Sequence, residues 1–172
     1  MHQKLFQLRH LVAGAREYSK REKLERGSIE DYESDWSLYY YQMRHLISND
    51  LIELAAKVRV IQDTSLKQIK ESDLLGMDEA CRHRLKIGTV TSGTFALTLR
   101  ESCNKIIHAT EFEPQFANSR NAKPYFRYSY WNGKCTLKGS HFGKPWSVDL
   151  YVYDWSEAMK YFLDDIFGNV DW

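Results

Sequence analysis

An apolar repeat in the first third of the chain constrains the fold more than any other feature of the sequence. Its members are spaced three or four residues apart, and no glycine or proline interrupts them: Tyr32, Trp36, Tyr40, Met43, Ile47, Leu51, Leu54, Val58 and Ile61. Because this spacing places side chains on one face of a helix, it predicts a long amphipathic helix from about Ile29 to Ile61. Ser28 is placed to cap that helix, and a break at Ser48-Asn49-Asp50 stays open.

Apolar residues at helical spacing also begin the chain: Leu5, Leu8, Val12 and Ala15. They predict a first helix that continues through charged residues to about Gly27. Between residues 64 and 93 the pattern is weaker. There, Ser72-Asp73 and Asp78 are placed to cap short helices, and the threonine-rich residues 86–93 are interpreted as a connector.

Thr98 and Glu101 have the spacing of a capping box, which opens a helix. This helix is predicted to end near Thr110 or Glu111, ahead of Pro114. The residues predicted to form its buried face are Leu99, Cys103, Ile106 and Ile107.

After Pro114 the apolar pattern changes to the alternation that is typical of strands. Residues 125–131 alternate, Asn132-Gly133 is typical of a type I′ turn, and residues 134–138 return, so the sequence predicts a hairpin. A third strand is predicted over residues 147–153, with Val148, Leu150 and Val152 on one face.

A last helix is predicted to follow the strands, capped by Asp154 and Glu157. The residues predicted to cover the sheet from this helix are Met159, Phe162, Leu163 and Ile166. The predicted fold class is therefore α+β and mainly helical. A helical bundle (about 1–112) precedes a three-stranded antiparallel meander with a closing helix (about 122–168), in one domain of 172 residues.

Composition narrows the function classes only slightly. The chain has 24 Lys and Arg against 23 Asp and Glu, so its net charge of +1 argues neither for nor against nucleic-acid binding. Cys81, Cys103 and Cys135 are far apart and lack the spacing of a zinc site, so no metal, cofactor or disulfide framework is predicted. No signal peptide or apolar run of membrane length is present in the sequence, which predicts a cytoplasmic protein without a membrane partner.

Arg100, Asn104 and His108 are the candidate catalytic residues. They stand at positions i, i+4 and i+8 of the predicted helix, so they form a polar stripe along the edge of its buried face. A guanidinium can hold a phosphate, an imidazole can transfer a proton near neutral pH, and an amide can orient either group. The structural alternative is that the three side chains bond to neighbouring carbonyls, with His108 favoured near a helix C-terminus.

The pattern R-x-x-x-N-x-x-x-H on a late helix resembles the HEPN superfamily of small helical-bundle proteins. Its nuclease members carry an arginine, often followed by a polar residue such as asparagine, then four to six residues and a histidine. Asn104 and His108 match the second part of that pattern. Cys103 stands where the arginine of the family would be, and Arg100 lies one helical turn earlier.

The resemblance implies metal-independent cleavage of RNA by a homodimer whose two motifs meet, in a toxin-linked or defence setting. It gives His108 the role of general acid and base, Arg100 that of phosphate clamp and Asn104 that of orienting group. The departure at Cys103 leaves open whether the chain is catalytic or only binds RNA or a protein. The alternative is a non-enzymatic interaction protein, such as an immunity or antitoxin-like inhibitor, that binds through its aromatic-rich surface.

Overall fold

The computed structural model describes residues 1–27, 29–31, 33–119 and 127–170. It confirms an α+β fold that is mainly helical. The helices and strands follow in the order α1 (His2–Arg21), α2 (Asp35–Ser65), α3 (Glu71–Arg84), β1 (Gly88–Ser92), α4 (Leu99–Ile107), β2 (Glu111–Asn118), β3 (Ser129–His141), β4 (Lys144–Tyr151) and α5 (Val152–Asn169). None of the helices in the described ranges is both long and apolar enough to cross a membrane.

The long apolar repeat forms α2, which runs without a break through residues 48–50. It begins later than predicted, because Ser34 caps it by accepting a hydrogen bond from the N–H of Ser37 at 3.2 Å. Ser28 and Tyr32 lie outside the described residues. The repeat residues predicted to be core are buried, among them Trp36, Tyr40, Met43, Leu54 and Val58.

The first helix ends at Arg21, and the prediction of an end near Gly27 is wrong. Lys23 adopts a left-handed conformation with φ of +53°, and the N–H of Leu24 bonds back to the Ser19 carbonyl at 3.1 Å. This is the geometry of a helix C-terminus that usually has glycine at the left-handed position. Leu24 then turns into the core, which accounts for the early end.

The strands form one antiparallel sheet in the order β1-β4-β3-β2, so the sheet has four strands and not the predicted three. The additional strand, β1, is the segment interpreted as a connector. Gly88 permits its close approach to β4, because a Cβ there would lie 2.6 Å from the Asp149 carbonyl oxygen. At the other edge Pro114 lies within β2, where a strand tolerates proline.

The predicted hairpin turn at Asn132-Gly133 is wrong, because β3 continues through both residues. Trp131 pairs with Phe116 and Cys135 pairs with Pro114, so residues 132–134 bulge opposite Gln115. Gly133 does adopt a positive φ of 82°. A Cβ on it would lie 2.6 Å from Val12 of α1, so close packing against a helix fixes the bulge. Residues 125 and 126 lie outside the described residues.

The closing helix α5 starts at Val152, which was predicted to be the last inward residue of a strand. Tyr151 is its N-cap and makes no side-chain cap bond, so the predicted cap by Asp154 and Glu157 is wrong. Glu157 instead forms an ion pair with Arg9 of α1. The predicted inward face is confirmed: Met159, Phe162, Leu163 and Ile166 are buried.

The sheet separates an apolar face from a polar one. Trp131, Cys135, Leu137, Val148 and Leu150 are buried in the core that the helices share. On the opposite face, Thr136 and Gln115 both donate hydrogen bonds to Asp149 Oδ1, at 2.7 and 2.8 Å.

Candidate functional site

Helix α4 carries Arg100 and Asn104, His108 caps its C-terminus, and two other residues anchor its first turn. Thr98 Oγ1 accepts a hydrogen bond from the N–H of Glu101 at 2.9 Å, as the capping box predicted. Asp78, predicted to cap a helix of its own, lies inside α3 and is buried. Its carboxylate accepts the N–H groups of Leu99 and Arg100 at 3.1 and 3.2 Å, so Asp78 fixes where α4 begins.

Arg100 is turned toward α2. Its Nη2 lies 2.8 Å from Oδ1 of Asp63, and both side chains are about half exposed. Asp63 also lies 3.5 Å from Nη2 of Arg59. Two guanidinium groups therefore share one carboxylate, and the Arg100 side chain that the HEPN resemblance assigns to phosphate binding is engaged by Asp63 within the chain.

Asn104 and His108 have different surroundings. Asn104 Nδ2 donates to Oε2 of Glu101 at 2.9 Å, within the same helix. His108 is the C-cap residue of α4, its backbone N–H bonds to the Asn104 carbonyl at 3.0 Å, and its side chain is exposed. Only His108, of the three, presents its side chain to solvent without a hydrogen bond to a described residue.

The three side chains lie along one helix without converging. At 1.5 Å of rise per residue, Arg100 and His108 are separated by about 12 Å along the helix axis. Across the described ranges, no hydrogen bond joins any two of the three side chains. The arrangement in one chain can support structural contacts, and it does not place a phosphate clamp beside the imidazole.

Cys103 occupies the position of the family's arginine, and its side chain has 0% exposure. Burial raises the pKa of its thiol to about 12. Burial likewise raises the pKa of Cys81 to about 11 and that of Cys135 to about 12, so all three cysteines are buried neutral thiols.

The buried face of α4 contains Lys105 and not Ile107, which the helical spacing of apolar residues in the sequence did not predict. Ile107 is 37% exposed, whereas Lys105 is buried. The Lys105 ammonium lies 4.1 Å from the centroid of the Phe95 ring and 4.6 Å from that of Trp146, and Glu101 pairs with it at 3.1 Å. These cation–π contacts join α4 to β4 and account for a buried lysine.

Phe142 is the residue of functional interest that the prediction of sites missed. It is 93% exposed at the turn between β3 and β4 and adopts a positive φ of 48°. The sequence GSHFGKPW, which contains it, predicted a turn at His141 and left open that the His, Phe and Trp of this glycine-flanked loop contact a partner. Nothing in a single sequence distinguishes a strained, exposed phenylalanine from one that folds inward.

A cleft of about 360 Å³ lies between α2 and β2, and Tyr40 and Glu113 are on its lining. The Tyr40 hydroxyl donates to both carboxylate oxygens of Glu113, at 2.8 and 2.9 Å. Burial and this carboxylate raise the pKa of Tyr40 to about 12.

Within the described part of the chain, no three His, Cys, Asp or Glu side chains are grouped as a metal site requires.

Comparisons of this chain with protein-family models, with curated proteins and with solved structures found no match. The HEPN resemblance, and the RNA-linked and defence roles that it implies, therefore stay predictions.

Proposed function

We propose that this protein acts by binding a protein partner and does not cleave RNA. The observation that supports binding is Phe142, a large apolar side chain that is almost fully exposed in a strained backbone conformation. Strained residues persist where the surrounding structure holds them, and they concentrate at functional sites. Buried aromatic anchors are also the residues that contribute most to protein interfaces.

The contacts of α4 support a structural role for the polar stripe. The two positions that could supply a phosphate-holding arginine are 100 and 103. Arg100 is paired with Asp63 at 2.8 Å, and position 103 is a cysteine inside the core. An arginine clamp on RNA would require Arg100 to leave Asp63.

The burial of the aromatic residues narrows the aromatic-rich binding surface that the sequence predicted. Trp131 and Trp146 lie in the sheet, and both are buried. The open face of the sheet carries polar residues such as Thr136 and Asp149, and its half-buried Tyr151 has a hydroxyl 3.0 Å from that of Thr89. We therefore locate the binding surface at the β3–β4 turn and not on the face of the sheet.

A cleavage assay tests the proposal. Purified protein is incubated with single-stranded RNA in the presence of a chelator, beside His108→Ala and a known metal-independent ribonuclease as positive control. We expect the wild type to leave the RNA intact, as His108→Ala does. Cleavage by the wild type that His108→Ala abolishes, with both proteins folded by circular dichroism, would overturn the proposal.

A further inference from the structure

Two lysines converge on one tyrosine at the open face of the sheet. Lys134 of β3 pairs in register with Tyr151 of β4, and its ammonium lies 4.7 Å from the centroid of the Tyr151 ring. Lys86 precedes β1, and its ammonium lies 5.6 Å from the centroid of the same ring. The Tyr151 N–H bonds to the carbonyl of Ile87 at 2.9 Å, which holds Lys86 beside β4. We call Lys86 and Lys134 the lysine pair.

The lysine pair has no counter-ion of its own. Within the described ranges, neither Lys86 nor Lys134 forms an ion pair with a carboxylate. Lys138, further along β3, instead pairs with Glu111 at 2.8 Å. Asp149 lies on the same face, but it accepts hydrogen bonds from two neutral side chains. The tyrosine ring attracts each ammonium, but two like charges at one ring repel each other, so an anion that contacts both would be stabilising.

Two hydroxyl groups lie beside the lysine pair. The hydroxyls of Tyr151 and Thr89 are 3.0 Å apart. Their mutual hydrogen bond uses one of their two hydrogens, which leaves the other free to donate. This bond lowers the pKa of Tyr151, and the charges of Lys134 and Lys86 act in the same direction. Surroundings that favour a negative charge on the phenol oxygen also favour a bound anion.

A phosphate monoester matches these groups in charge and in acceptors. At neutral pH it carries a charge of about −1.5 to −2 and three strong acceptor oxygens. Two ammonium groups and one free hydroxyl hydrogen supply two positive charges and a donor for each oxygen. A nucleic-acid backbone has only one charge per phosphate. The base stacking on which single-stranded RNA depends would also compete with the Lys134 ammonium for the Tyr151 ring.

We propose that the lysine pair, with the hydroxyls of Thr89 and Tyr151, binds a phosphate monoester. Lysine side chains are flexible, so both ammonium groups can close on one phosphate. The inference goes beyond the proposed function, because Lys134 and Tyr151 pair at one end of the β3–β4 hairpin and Phe142 lies at the other. The phosphate belongs to a small molecule or to a phosphorylated side chain of a protein, and two probes distinguish these sources.

Other lysines of the surface suit an anion less well, because carboxylates of the chain already neutralise them. Lys4 pairs with Asp50 at 2.7 Å, and Lys57 pairs with Glu53 at 2.6 Å. Neither of these lysines is free to give its full charge to a ligand.

An NMR titration of the full chain tests the proposal at low salt, because salt screens exposed charges. Phenyl phosphate is the small-molecule probe, and a short peptide with one phosphoserine is the protein-borne probe. Concentrations reach about 10 mM, where weak binding becomes populated. We expect both probes to shift the ring resonances of Tyr151 and the ε-methylene resonances of the lysine pair. Tighter binding of the peptide assigns the phosphate to a protein, and equal binding assigns it to a small molecule.

A matched ligand and matched variants identify what is recognised. Phenyl sulfate has the shape of phenyl phosphate with a single charge, so it should bind about tenfold more weakly. Lys86→Gln and Lys134→Gln should each weaken phenyl phosphate binding about tenfold. Lys138→Gln removes the same charge from β3, but Glu111 already pairs with this lysine, so its affinity should stay within about twofold. Tyr151→Phe keeps the ring and should weaken binding through the lost hydroxyl.

Four results would overturn the inference. The first is a Tyr151 ring that does not respond to phenyl phosphate, and the second is equal binding of phenyl sulfate. The third is an equal loss of affinity in Lys138→Gln and Lys134→Gln, because net charge alone would then account for binding. The fourth is single-stranded RNA that shifts the same resonances at a lower phosphate concentration. RNA cleavage by the wild type refutes the proposed function and not this inference, whereas a failure to bind phosphate refutes only the inference.

Discussion

The carboxylate of Asp78, within α3, accepts a hydrogen bond from the backbone N–H of Leu99 at the first residue of α4, with an O···N distance of 3.1 Å. The same buried carboxylate accepts the N–H of Arg100 and pairs with Arg82 Nε at 2.5 Å. One side chain thus satisfies two N–H groups that a helix start leaves unpaired and aligns α4 with α3.

We expect Asp78→Ala to lower the free energy of unfolding by about 3 kcal/mol, because it leaves two N–H groups and a partly buried guanidinium without their acceptor. Chemical denaturation measures the loss. Glu79→Ala is the matched control on the same helix, since Glu79 is largely exposed and pairs only weakly with His83. Its effect should stay within about 0.5 kcal/mol. Equal losses for the two variants would contradict the role of Asp78.

Two substitutions of Phe142 should separate the effect of its strained backbone on stability from the effect of its exposed ring. Phe142→Asn is expected to raise the free energy of unfolding of the monomer by about 1 kcal/mol, because asparagine tolerates a positive φ. Phe142→Ala removes the ring but keeps a Cβ at the strained position, so it should give no comparable gain. Chemical denaturation of the two variants and of the wild type measures both effects. A Phe142→Asn variant less stable than the wild type would show that the ring stabilises its own chain.

Cys103→Arg should not restore a nuclease motif. The residue is fully buried on α4, so an arginine there would place a charge in the core. We expect a loss of at least about 4 kcal/mol, or failure to fold. Cys103→Ala is the control and should cost about 1 kcal/mol, since it removes one buried sulfur atom. Thermal unfolding of the two variants distinguishes them, and a stable Cys103→Arg protein would contradict the packing of α4.

The raised pKa of Tyr40 predicts a loss of stability in alkali. In the folded chain burial and Glu113 hold this pKa at about 12, against 10 in the unfolded chain. The folded state therefore keeps its proton where the unfolded state loses it. The contribution of Tyr40 to the free energy of unfolding is fully present below pH 10. It falls as the pH rises to about 12, by an amount on the order of 2 kcal/mol.

Tyr40→Phe provides the comparison for this pH dependence, because it keeps the ring and removes the titrating hydroxyl. Unfolding free energies of both proteins are measured across the alkaline range. The wild type should lose more stability than Tyr40→Phe over that range. Parallel curves would show that Tyr40 titrates normally in the folded protein.

The parts of the fold that were predicted correctly depend on local pattern. The apolar repeat of α2 and the inward face of α5 follow from helical spacing alone, because each helix buries one continuous stripe. The Thr98 cap likewise involves residues three apart. These features need no knowledge of distant partners.

The predictions that were wrong depend on contacts between distant residues. Asn132-Gly133 has the composition of a turn, but Val12 of α1 packs on Gly133 and β2 pairs on both sides of it, which favours a bulge. The residues of β1 form a strand because β4 pairs with them. Local sequence contains neither contact.

At the candidate site, too, local pattern predicted some features and distant contacts determined the rest. The i, i+4, i+8 spacing correctly placed Arg100, Asn104 and His108 along α4 or at its end. It could not reveal that Asp63, more than thirty positions earlier, would pair with Arg100. The burial of Lys105 and the exposure of Phe142 also depend on β4 and on the hairpin register, which no local pattern reports.

Incubation of the purified protein with single-stranded RNA in the presence of a chelator tests most directly whether the polar stripe of α4 is structural. We predict that the wild type leaves the RNA intact, as His108→Ala does. RNA cleavage by the wild type that His108→Ala abolishes, with both proteins folded, would contradict the structural role of Arg100, Asn104 and His108.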